Sequence, residues 1–109
     1  MSTLSRSEHK ALALHRAIVA RLRAAPELRQ LAKARLGRLG QMNPASAPYY
    51  TQWMRLLDAP LDDLFTAMLD ASEKGCALRQ ESPFGDVINQ RERAAIYRET
   101  AARLDATRL

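Results

Sequence analysis

A chain of 109 residues is about one domain long and can bury roughly 65% of its unfolded surface, enough for a single core. At 47% hydrophobic and 27% charged it is too apolar for wholesale disorder, and with only 6% aromatic residues the core must come mainly from Ala and Leu stripes. The net charge of +5 is uneven: residues 1–40 hold nine Lys/Arg against two Glu, and residues 41–109 hold eight against ten acidic residues, so the basic half could meet nucleic acid or an acidic protein. The single Cys76 excludes an intrachain disulfide. No signal pattern and no apolar run near about 18 residues occurs, so the expectation is a soluble, cytoplasmic protein with no membrane partner.

Ser5 with Glu8 three residues on makes a capping box, so a first helix should run over about 6–24. Ala11, Leu14, Ile18, Val19 and Leu22 fall on one face at helical spacing, with His15 near its centre. Pro26 suits the first turn of a second helix, which Gly37 and Gly40 should end, giving an antiparallel pair over 5–40. "GQMNPASAP" has turn residues and no apolar period, so 41–48 reads as the longest loop. Beyond it, Tyr50, Trp53, Met54 and Leu57, then Leu61, Leu64, Phe65, Met68 and Leu69, recur at three and four, with Pro60 dividing two helices. Ser72 caps a short helix to about Gln80, and Asn89 with Glu92 forms a second capping box opening a helix over about 90–104. No segment alternates with period two, so residues 1–109 should form one all-α domain, a bundle of five or six short helices with the C-terminal set at 49–105.

Reactive groups do not converge in the sequence. His9 and His15 lie outside an H-E-x-x-H pattern, which points to no metal. Asp58, Asp62, Asp63, Asp70 and Glu73 lack the ligand order and glycine of a calcium loop, and Asp62 and Asp63 suit the start of the helix that follows Pro60. No phosphate loop or nucleophile elbow is present, so neither a cofactor nor an enzymatic activity is expected. Cys76 reads as a small buried hydrophobe. "LAKARLG" resembles the opening of a helix-turn-helix, but Gly37, Gly40, Pro44 and Pro48 interrupt what should be the recognition helix. His15, Arg16 next to it, and Arg35 within the apolar stripe of the second helix are candidate buried polar contacts. A buried Arg35 should find a carboxylate such as Asp62, Asp63 or one from a partner.

"SPFG" at 82–85 combines a dihedral fixed by Pro83, a positive one permitted at Gly85, and Phe84 as either a core plug or a presented anchor. With its flanks, "SEKGCALRQESPFGDVINQRERAAIYRE" resembles the C-terminal part of a group of small helical bacterial proteins encoded beside toxin genes, in which "ALRQ" leads through an "SPF" turn into an "RER…I.RE" helix. "LALHRAIVARLRAAPEL" and "YYTQWMRLLDAPLDDLFTAML" are similar to the front half of the same group, so the resemblance covers about residues 10–100. It implies an antitoxin-like role: neutralising a cognate toxin by direct protein contact. The contacts would fall to Arg79, Ser82, Pro83, Phe84, Arg91, Glu92, Arg93 and Tyr97, with arginine suited to bidentate pairing with a partner's carboxylates. The alternative is a basic nucleic-acid-binding or repressor protein using the N-terminal Arg-rich helices. A homodimerisation module is a third reading.

Overall fold

A computed structural model describes residues 4–107, and within them the chain is all-helical. Six α-helices follow in order: α1 Arg6–Ala24, α2 Arg29–Met42, α3 Ala47–Leu57, α4 Leu61–Met68, α5 Glu73–Gln80 and α6 Gln90–Ala106. Short 3₁₀ turns at Pro26–Leu28, Pro44–Ser46 and Phe84–Asp86 join or precede them.

The helix starts are chemical. Ser5 Oγ accepts from the Glu8 N–H, and Glu8 returns the bond to the Ser5 N–H at 2.8 Å, a complete capping box. Ser72 caps α5 through the Gly75 N–H. Asn89 caps α6 through the Glu92 N–H at 2.8 Å, while the Glu92 carboxylate turns away to pair with Arg21 on α1. Pro60 separates α3 from α4, as its missing N–H and ring require.

Three expectations are corrected. Gly37 and Gly40 do not end the second helix, which continues to Met42; glycine costs helix stability but does not forbid the conformation. The expected loop at 41–48 is consequently a single 3₁₀ turn, after which Pro48 sits in the first turn of α3, where its absent N–H leaves no bond unmade. The antiparallel partner of α1 is also not α2 but α6: Arg6 at the start of α1 pairs with Asp105 near the end of α6, and Arg21 pairs with Glu92 near the start of α6. Helix α2 instead packs on α3 and on the Phe84–Asp86 turn.

One core joins all six helices. Ile18, Leu22, Trp53, Leu57, Leu64 and Met68 are fully buried, with Leu14, Val19, Leu36, Leu78, Val87 and Ile88 around them. At a few kcal/mol for each large side chain removed from water, this set dominates the favourable free energy of folding.

Candidate functional site

The SPFG turn is closed from below and from the side. Phe84 is 1% exposed, which settles the alternative left by the sequence in favour of the core plug. Its ring meets Trp53 edge-on at 5.5 Å between centroids and His15 edge-on at 6.3 Å, while His15 stacks along Trp53. Trp53 donates its indole N–H to the Leu78 carbonyl at 2.9 Å, so no polar atom of the ring is left unsatisfied.

His15 joins α1 to the turn by a directional chain. Its Nδ1 lies 2.8 Å from the Ala11 carbonyl, which can only accept, so the proton sits on Nδ1. Nε2 must then accept, and Ser82 Oγ donates to it at 2.8 Å while itself accepting from the Phe84 N–H. Burial drives the His15 pKa down to about 4, against a smaller opposing pull from the Ala11 bond, and the Arg79 charge adds to the lowering. Ser82 and His15 stand at nucleophile–base distance, but an imidazole this weakly basic, with both nitrogens committed and 2% exposed, acts as a fixed strut.

The outer side of the turn is held by arginines. Arg35 and Arg38 both donate to Asp86, at 3.1 and 3.0 Å, and Arg93 donates to the Gly85 carbonyl at 3.2 Å. Arg35 thus finds its carboxylate in Asp86 rather than in Asp62 or Asp63. The guanidinium passes so close over the turn that a Cβ on Gly85 would stand 3.1 Å from its central carbon. No described glycine has a positive φ, so Gly85 is there for this close approach and not for a left-handed conformation.

Arg79 is the second interior clamp. It is 3% exposed and donates through Nη1 to the carbonyls of Met68 and Asp70, at 3.0 and 2.5 Å, and through Nη2 to Cys76 Sγ. These carbonyls close α4, where main-chain acceptors lack helical partners and a cation is favoured. Gly75 makes the clamp possible, because a Cβ there would fall 2.0 Å from the Asp70 oxygen. Burial and the Glu8 carboxylate hold the Cys76 thiol above its usual pKa, so it remains protonated near neutrality.

The residues expected to contact a partner therefore separate. Arg79, Pro83 and Phe84 are interior, and Ser82 is spent on His15. Glu92 pairs with Arg21, Arg93 holds Gly85, and Tyr97 packs half-buried on the core under Lys10. Of these eight, Arg91 alone is exposed and makes no side-chain ion pair or hydrogen bond to a described residue. Of the three expected buried polar contacts, His15 is buried, Arg35 is half-buried, and Arg16 is exposed, because it falls outside the apolar stripe of α1.

Most of the basic half is also internally engaged. Arg6, Arg21, Lys33, Arg35 and Arg38 pair with carboxylates, Lys10 and Arg23 lie over the rings of Tyr97 and Phe65, and Arg29 reaches the Pro26 and Leu57 carbonyls; of the nine basic residues in 1–40, only Arg16 is left.

The open apolar surface lies elsewhere. The large hydrophobic side chains that stand exposed among the described residues are Leu31 and Met42 on α2 and Tyr49 and Met54 on α3, with Met42 at 73%. Between the two helices runs a groove of about 290 Å³ lined by Leu36, Gly37, Gly40, Ala47, Tyr50, Thr51 and Met54. Nothing lies within 4 Å of a Cβ placed on Gly37 or Gly40. As helix stops these glycines give no hint of a groove; the signal for it is their three-residue spacing, which places both on one side of a continuous helix.

Among the described residues no three His, Cys, Asp or Glu side chains gather as a metal would need, and no helix is long and apolar enough to cross a membrane. Comparison with family models, with curated proteins and with solved structures returns no match.

Proposed function

We propose that this chain is a cytoplasmic, non-catalytic binding protein of the antitoxin-like kind, which holds a cognate toxin by direct contact through the α2–α3 face. The observation that carries the reading is the confinement of the exposed Leu31, Met42, Tyr49 and Met54 to these two helices. Isolated exposed hydrophobics need no explanation, but here they are confined to two adjacent helices, and one of them, Met54, lines the apolar groove between those helices, which has the character of an interaction surface. Gly37 and Gly40, each costing up to about 1 kcal/mol of helix stability relative to alanine, leave open space where a side chain would begin. Their groove admits another backbone closely. The occupant is an apolar helix face of a partner, in the helix-in-groove mode. The antitoxin assignment itself rests on the resemblance of the segments flanking the SPFG turn. In this reading the turn shapes the core, and recognition belongs to the neighbouring helices. Nucleic acid is the weaker alternative, because the basic side chains of the N-terminal half are largely committed within the fold.

The test is co-expression with the product of the neighbouring gene, followed by size-exclusion chromatography with light scattering, for wild type, Gly40→Trp and Met54→Lys. Both substitutions lie on exposed helix surface, so each should leave the melting temperature nearly unchanged and abolish the complex. A wild-type protein that elutes without the neighbouring product overturns the reading, as does a mass of two copies that vanishes with Gly40→Trp, which would assign the face to self-association.

A further inference from the structure

We propose that the seam between α1 and α6 binds an amphiphilic oxyanion, with Arg16 and Arg103 clamping its head and an apolar arm lying along Leu4, Leu12 and Leu104. This site is separate from the α2–α3 face and does not depend on the partner assigned to it. Helices α1 and α6 run antiparallel, pinned near their ends by Arg6 with Asp105 and by Arg21 with Glu92. Between those pins the pattern of opposite charges lapses. Arg16 from α1 and Arg103 from α6 line two hollows in common, of about 210 and 450 Å³. Glu99 lines the smaller hollow but forms no ion pair with either arginine.

Two cationic side chains that line the same hollows can offer one anion charge-assisted, bidentate hydrogen bonds. The larger hollow adds His9 as a further donor and is also lined by Leu4, Leu12 and Leu104, and its size falls within the range of small-molecule sites. A hollow lined by both cationic and aliphatic side chains fits an anionic head with an apolar arm better than a bare inorganic ion. Carboxylate and phosphate heads share this chemistry, since both present paired oxygens to a guanidinium fork.

Titration of the full chain with decanoate, decyl phosphate, acetate and inorganic phosphate, followed by amide NMR shifts, tests the site. The two ten-carbon ligands should shift residues around Arg16 and Arg103 and raise the melting temperature with concentration, as any ligand of the folded state does. The one that binds more tightly identifies the natural head. Acetate and inorganic phosphate should bind at least about tenfold more weakly, for want of the apolar contact. Arg16→Gln with Arg103→Gln should lower affinity for the long-chain anions by about tenfold or more with an unchanged circular dichroism spectrum, while Arg91→Gln and Gly40→Trp leave it intact. No shift at the seam with any of the four anions overturns the proposal, as does equal affinity in the double variant. Short anions binding as tightly as long ones would overturn the role of the leucines.

Discussion

Two regions of this molecule are built from similar residues and come to opposite ends. Around the SPFG turn, His15, Ser82, Arg35 and Arg79 are drawn into the interior or against it, and their hydrogen bonds go to neighbours in the same chain. Along the α1–α6 seam, His9, Arg16 and Arg103 line open hollows with no ion pair to any described carboxylate. A polar group closed off from water must be satisfied internally or cost stability, whereas one left at the surface can wait for a ligand. Burial, more than residue type, separates the structural arginine from the available one.

The most direct way to break this contrast is to remove the plug. Phe84→Ala should cost about 3–5 kcal/mol, since it opens a cavity between Trp53 and His15, and chemical denaturation should show it. A cost below 1 kcal/mol would mean that the ring is not the keystone described here. Next comes Gly75→Ala. The added carbon would meet the Asp70 main chain at 2.0 Å, displacing the segment that Arg79 holds, so a loss of roughly 1–3 kcal/mol is expected.

Acid should weaken the closed region through His15. Its folded pKa, near 4, lies below the ordinary value of 6.5, so as pH falls the unfolded chain takes up the proton first. The contribution is complete above pH 6.5 and is lost progressively between 6.5 and about 4, reaching on the order of 3 kcal/mol. Urea midpoints measured through that window should fall for wild type and change far less in a folded His15→Gln protein. Equal slopes would remove His15 from the account.

At the open surfaces the effects on folding should be small and of either sign. Gly37→Ala and Gly40→Ala meet empty space and should each stabilise by about 0.5–1 kcal/mol, seen as a higher melting temperature. Destabilisation by either would show an intrachain role for the groove. Smallest of all, Arg91→Ala should change stability by less than about 0.5 kcal/mol, because its side chain is exposed and makes no ion pair.

The helix boundaries show what is readable locally. Ser5, Ser72 and Asn89 are caps in the structure as they are by pattern, because capping is settled within three residues of chain. Pro60 likewise divides α3 from α4 on its own covalent geometry. The glycines misled, since a helix tolerates them when its other face is buried, and Ala32 and Leu36 anchor α2 to the core. Arg35 illustrates the remaining gap: its sequence position signalled a need for a carboxylate, but Asp86 lies 51 residues away and is no better marked than Asp62 or Asp63.

By itself the sequence determined the all-α class, most helix starts and the apolar stripes that form the core, because these follow from propensity, capping and period over short stretches. Tertiary structure alone decided that α1 pairs with α6, that Phe84 faces inward beside His15, and that Arg16 remains free while Arg79 is enclosed. Those outcomes depend on which faces meet across long separations in the chain. Neither the period of a helix nor the charge of a side chain specifies its distant neighbour, and only packing fixes which polar groups are shut away from water and which stay available to bind.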